Sequence, residues 1–218
     1  MDVIIDNLPA YGSGFLVTLQ LTLYSAALAL LAGLLLAALR VSPLRPLRAF
    51  AATYVELLRN TPLTLVFFFM VFVAPYFGIL APLGFWTAVI CLSAYTAAFV
   101  SEAVRSGINS VGIGQAEAAR AIGLTFGQTL VEVVLPQAVR SVVPPLINVF
   151  IALAKNTSVS AGFGLIAVDL MGAGRRLGVT NAASGLWVLV GVALFYLAIT
   201  IPAGILAGRI ERKVAFAR

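Results

Sequence analysis

The run Gly114-Gln115-Ala116-Glu117-Ala118-Ala119-Arg120-Ala121-Ile122-Gly123, followed by Val133-Val134-Leu135-Pro136-Gln137-Ala138, carries the most informative spacing in the chain. Glu117 to Ile122 favours a short helix, and its alanines leave a thin face. That face could seat in a groove on another protein, or lie along helices of the same chain. Gly123 is placed to end the helix in a left-handed turn. A second group could contact a polar solute. Thr61, Thr64, Tyr95, Thr96, Asn148, Asn156, Thr157 and Ser158 lie in or beside strongly apolar segments, where a polar side chain usually faces a cavity or a partner. The same groups could be used internally, with Thr and Ser bonding back to their own helix carbonyls and Asn148 tying two helices together. Lys155, near the end of an apolar run, could attract a carboxylate or snorkel to lipid headgroups.

Positioning these residues requires elements of a particular kind. The 218 residues are 61% hydrophobic and 10% charged, more apolar side chain than one soluble core of this length could bury. The apolar residues gather into runs of roughly 20, the length of helix that crosses a ~30 Å hydrocarbon layer. An integral membrane protein follows. The net charge of +6 does not point to nucleic acid, because the twelve arginines and two lysines are scattered between apolar runs and form no basic face. Cys91 is the single cysteine, so no intrachain disulfide is possible. The absence of histidine excludes His-based catalysis and His-ligated metal. No metal-ligand cluster and no convincing nucleophile and base pair appear, which argues against a membrane-embedded enzyme. Met1-Asp2-Val3 offers no basic start to a cleavable signal peptide, so the first apolar run is expected to remain as a helix.

The expected architecture is all-α, with five spans at about 15–39, 63–80, 86–100, 140–153 and 186–207 in a single domain over 1–218. Ser25, Ala29, Gly33 and Ala37 lie four apart on one face of the first span and allow close helix approach. Prolines 43 and 46 interrupt the chain after Arg40, and a second helix restarts near Leu47. Thr61 is placed to cap the next segment, with Pro62 at its first position. Pro82 and Gly84 make a short turn. Glu102 and Arg105, three apart just past the third span, are spaced for a helical ion pair at a helix end. Residues 106–139 read as a loop containing short helical pieces punctuated by Gly112, Gly114, Gly123 and Gly127. Pro144-Pro145 should kink the fourth span, and a semi-polar segment with Asp169, Arg175 and Arg176 follows it. Gly204 and Gly208 form a small-xxx-small pair in the last span, which ends in a basic tail, Arg209, Arg212, Lys213 and Arg218. Eleven Lys and Arg fall on one side of this arrangement against Lys155, Arg175 and Arg176 on the other. Positive residues are retained in the cytoplasm, which predicts an external N-terminus, an internal C-terminus and a cytoplasmic 106–139 loop.

Glu-Ala-Ala, three residues, Gly, nine residues, then Val133-Val134-Leu135-Pro136 resembles the coupling loop of ATP-binding-cassette importer permeases, with Val133 where isoleucine is usual. Glu56-Leu57-Leu58-Arg59-Asn60-Thr61-Pro62-Leu63, Ser101-Glu102-Ala103-Val104-Arg105-Ser106-Gly107-Ile108 and Lys155-Asn156-Thr157-Ser158 are similar to the polar amino acid group of that family, which includes histidine, glutamine and glutamate importers. Arg40-Val41-Ser42-Pro43, Asn60-Thr61-Pro62-Leu63-Thr64-Leu65 and Ser106-Gly107-Ile108-Asn109 look nearest to the glutamate-type subunits of actinobacteria. The resemblance covers about 11–213 and implies a type I importer transmembrane domain in a bacterial plasma membrane. It implies that Gln115, Glu117, Ala118, Ala119, Gly123, Leu135 and Pro136 couple to a dimer of separate ATPase subunits. ATP and Mg would belong to those partners, because the chain has no G-x-x-x-x-G-K-[ST] phosphate loop and itself binds no cofactor. Further expected partners are a second permease subunit, identical or paralogous, an extracytoplasmic solute-binding protein and membrane lipid. An ion-gradient-driven carrier is the alternative, for which intramembrane acids would be the usual coupling groups; no Asp or Glu falls inside an expected span.

Overall fold

The computed structural model describes residues 2–79, 83–166 and 168–215, with side chains through Lys213. Leu80, at the end of the second expected span, Pro82 and Arg218 lie outside the described residues. The described chain is helical: α1 (Asp2–Asp6), α2 (Leu8–Arg40), α3 (Arg45–Asn60), α4 (Leu63–Phe68), α5 (Phe85–Asn109), α6 (Ile113–Ala121), α7 (Phe126–Gln128), α8 (Leu135–Asn156), α9 (Ser158–Gly162), α10 (Leu170–Thr180) and α11 (Gly185–Ala215). Four helical stretches are long and apolar enough to cross a membrane: Leu8–Arg40, Phe85–Asn109, Phe126–Gly162 and Ala182–Lys213. A further candidate is the pair Arg45–Asn60 and Leu63–Phe77, bent by 107° at its break.

α2 and α5 run parallel. Leu21 packs with Ala88 and Leu92, Ser93 Oγ donates to Ser25 O at 3.3 Å, and Ala29 and Ala37 pack with Val100 and Val104. The small-residue face of α2 makes this possible. A Cβ at Gly33 would lie 2.5 Å from Val100 Cβ and 2.9 Å from Ala97 O, so only glycine lets the two backbones approach so closely. Two parallel helices need a returning segment between them, and α3 and α4 supply it. Ala51 of α3 packs with Leu36 and Ala97, then Leu63 and Phe67 pack with Leu21 and Leu92, and Phe85 at the start of α5 meets Tyr24 edge-on. α8 runs antiparallel to α5. Val142 fills the space beside Gly107, and Leu153 joins the Leu21–Leu92 cluster. α11 lies beside α2, where Tyr11 stacks on Phe195 and its hydroxyl donates to Val188 O at 3.1 Å. α10 wedges against the N-terminal part of α2, since Thr18 Oγ1 accepts from Leu170 N at 3.0 Å.

Several boundaries differ from the sequence expectation for definable reasons. α2 begins at Leu8, before 15, with Pro9 in its first turn where its missing N–H costs nothing. α3 begins at Arg45, with Pro46 likewise in its first turn. Thr61 does not cap α4: Pro62 is the N-cap, and Thr61 Oγ1 donates back to Leu57 O at 2.7 Å. α5 continues past Val100 to Asn109, so Glu102 and Arg105 lie within the helix and not beyond it. Gly114 does not interrupt α6, which starts at Ile113. Much of 106–139 is not loop, because α7, a π-helical segment Thr129–Val134 and α8 form one continuous apolar stretch. Pro136 has no N–H to join the helical ladder, and the wider π register immediately before it accommodates that gap.

Candidate functional site

α6 projects from the end of the bundle where α5 finishes, and it rests on the Thr129–Val134 segment of its own chain. Ala119 is the residue it buries. Gln115, Glu117, Ala118 and Gly123 are exposed. Its C-terminus is closed by a Schellman turn: Gly123 has φ +94°, Gly123 N donates to Arg120 O at 3.0 Å, and Leu124 N donates to Ala119 O at 3.2 Å. A capping box then starts α7, in which Thr125 and Gln128 bond reciprocally. Both ends of the connection are therefore fixed by local hydrogen bonds. Around it stand large apolar side chains with little cover: Ile113 is 78% exposed, Ile122 81% and Phe126 74%. Leu135 and Pro136 lie at the start of α8, also exposed. The helix thus presents one buried alanine to its own chain and a mixed surface of apolar residues with Glu117 and Arg120 outward.

The polar residues divide into two sets. Tyr95, Thr96, Asn148 and Asn156 come together, with Phe99, Val149 and Ala152, around a cavity of about 400 Å³ between α5 and α8. Thr96 is buried, Tyr95 and Asn156 are half-buried, and Asn148 is exposed. The other candidates are elsewhere. Thr61 Oγ1 donates to Leu57 O, Ser158 Oγ to Lys155 O at 2.8 Å, and Thr157 Oγ1 to Ala154 O at 2.7 Å, with Tyr196 Oη 3.4 Å away. These hydroxyls serve their own helices. Thr64 and Lys155 are exposed on α4 and α8.

Two ionic features were not read from the sequence as sites. Glu102 is the hub of an ion cluster: Arg40 Nη1 lies 2.6 Å from its Oε2, Arg105 pairs with its Oε1, and Arg59 Nη1 lies 3.6 Å from Oε2. It joins the ends of α2 and α3 to α5, and the Arg59 guanidinium lies over the Phe99 ring, 5.9 Å from its centroid. An acid thus does fall within a membrane-length helix, but three arginines hold it. The second feature is Asp169, fully buried, which caps α10 by accepting from Gly172 N at 2.8 Å and from Ser160 Oγ at 3.3 Å. Burial pushes its carboxyl above the usual carboxylate range, opposed by those hydrogen bonds and by the charge of Arg176. Three arginines within reach of one acid could be suspected from spacing only for Glu102 and Arg105; the other contacts depend on tertiary structure.

Residues 29–216 match the family described as "Binding-protein-dependent transport system inner membrane component". Similar relatives include a glutamate transport system permease protein of Corynebacterium efficiens, 39% identical with 95% of each chain covered. A probable glutamine ABC transporter permease protein of Bacillus subtilis is 37% identical, covering 98% of this chain and 97% of its own. Among solved structures, an amino acid ABC transporter crystallised with histidines superposes with a TM-score of 0.88 at 29% identity, covering 96% of each chain. The chain accordingly belongs to the binding-protein-dependent transport system inner membrane components.

Proposed function

We propose that the chain is the permease subunit of an ATP-driven importer for a polar amino acid of the glutamate type, forming half of the translocation pathway. The observation that carries this reading is the fixed, outward-facing α6 with its uncovered Ile113, Ile122 and Phe126, in a chain of this family. Such a surface suits a cleft on a separate ATPase subunit, which would bind ATP and Mg. Glu117, Ala118 and Gln115 would enter the cleft, while Gly123, Leu135 and Pro136 would pass its closure to α8. The bent α3–α4 pair would count as one span, giving five, with the N-terminus outside and the C-terminus inside. A second permease subunit would complete the pathway, and a solute-binding protein outside would deliver the amino acid. Rocking of the helices would then expose the Tyr95–Asn148 cavity to each side in turn. The relatives named for glutamate and glutamine transport support a substrate of this size and polarity.

The test is uptake of radiolabelled glutamate in cells carrying the complete transporter with Glu117→Lys. Charge reversal on an exposed residue should leave membrane insertion intact and reduce uptake at least tenfold. Unchanged uptake at normal expression would exclude α6 as the link to an ATPase.

A further inference from the structure

α10 carries two adjacent arginines, Arg175 and Arg176, both exposed. Among the described residues every ion pair is made to Glu102, so neither of them takes part in one. Together with Ile166, Gly172, Val179 and Thr180 they line a cavity of about 720 Å³ between the end of α9 and α10. Arg175 is held in place because its Nη1 donates to Ala161 O in α9, which leaves its other N–H groups for a ligand. Asp169 lies near enough to feel the charge of Arg176 but offers it no ion pair. It is fully buried, and its oxygens accept from Gly172 N and Ser160 Oγ. α10 stands between two stretches long and apolar enough to cross a membrane, Phe126–Gly162 and Ala182–Lys213, which places it at the level of their ends. Just beyond it Leu186 and Trp187 are exposed at the start of α11, where a tryptophan suits the headgroup layer. Under the orientation proposed above this is the outer face, and retention of positive charge in the cytoplasm gives no account of two adjacent arginines there.

We propose that the cavity between α9 and α10 binds the phosphodiester of an anionic phospholipid, held by Arg175 and Arg176. A guanidinium meets phosphate oxygens with paired N–H groups. The walls suit the rest of such a molecule, since Ala161, Ile166 and Val179 offer apolar surface to the glycerol and the first acyl carbons. An amino acid solute fits less well, because its ammonium would find no carboxylate among the lining residues. The same reasoning disfavours a lipid with an amine headgroup. The site is separate from the Tyr95–Asn148 cavity, with which it shares no lining residue.

The experiment uses the complete purified transporter in nanodiscs of phosphatidylcholine containing a phosphatidylglycerol probe, photoactivatable beside its glycerol, at a fraction below saturation. Cross-linked peptides are quantified by mass spectrometry. In wild type the peptides covering residues 161–180 should be labelled, and the equivalent phosphatidylcholine probe should label them far less. Arg176→Gln should lower that label about fivefold and the Arg175→Gln, Arg176→Gln pair about twenty-five-fold, as expected if each arginine at a membrane surface contributes about 1 kcal/mol. Label elsewhere on the chain should not change. Equal labelling by both probes, or label that survives both substitutions, overturns the proposal. Displacement of the probe by millimolar inorganic phosphate also overturns it, in favour of a free anion. If the paired variant keeps its label but no longer holds the solute-binding protein, the arginines serve a protein partner and the lipid reading fails. Should the paired variant not assemble, Arg176→Gln alone carries the test, because it leaves the bond from Arg175 to Ala161 in place. Labelling requires no transport, so its failure is distinct from a failure of the importer reading in the Glu117→Lys uptake measurement.

Discussion

The α2–α5 seam and the α6 projection are both built from small residues, and they use them in opposite ways. Along the seam, Ser25, Ala29 and Gly33 are covered by α5, and the helices approach as closely as their backbones allow. On α6, Ala118 and Ala121 are exposed, and so are Ile113 and Ile122 beside them. The same residue type therefore lies in a covered contact in one place and on an uncovered surface in the other. What distinguishes them is the residue opposite, which no local pattern supplies.

The strongest way to break this contrast is Gly33→Leu. The new side chain would meet Val100 and the Ala97 carbonyl, and the backbone cannot retreat without separating α2 from α5. A loss of at least about 3 kcal/mol is expected, at the upper end for overpacking, read as a lowered Tm in detergent. A variant that melts with the wild type would show that the seam is loose. Glu102→Gln should cost less, about 2 kcal/mol, because it leaves three guanidiniums without their anion in a setting that keeps some solvent access. Thermal unfolding measures this too, and the effect should grow if Arg40 and Arg105 are left to repel one another at low salt. At the small end, Ile122→Ser should change stability by no more than about 0.5 kcal/mol, since the side chain touches little of its own protein. Co-purification with the ATPase subunit should nonetheless fall. If the stability falls instead, α6 is part of the fold and not a surface for a partner.

The helical class and the close-packing face of α2 were legible because both are periodic. Ser25, Ala29, Gly33 and Ala37 recur every fourth residue, and a helix has that period whatever it packs against. The lengths of α5 and of the α7–α8 stretch were not, because charged residues ordinarily mark the end of a span and here lie within the helices. Glu102 and Arg105 lie within α5, where Arg40 and Arg59 arrive from other helices to pair with the Glu102 carboxylate. Of the polar candidates, Tyr95, Thr96, Asn148 and Asn156 share one cavity because 95, 96 and 99 on α5 face 148, 149, 152 and 156 on antiparallel α8. That pairing could not be known before the helices were placed. Thr61 is ambiguous in the sequence, because a threonine before proline fits a cap as well as it fits the bond it makes back to its own helix. Asp169 gave no local sign that it would be sealed between α9, α10 and α2.

The parallel course of α2 and α5 also governs the order in which the protein can assemble during synthesis. The bond from Ser93 to Ser25 joins positions 68 residues apart, and the small-residue face of α2 has no mate until α5 emerges. At translation rates of about 5–20 residues per second, α2 must wait in the bilayer on the order of 10 s with Gly33 uncovered. During that interval, the segment from Asn60 to Phe77 must fold back along α2 before α5 can pack parallel to it. Slowing the ribosome between codons 60 and 85 lengthens the time in which another copy's α2 can occupy the same face.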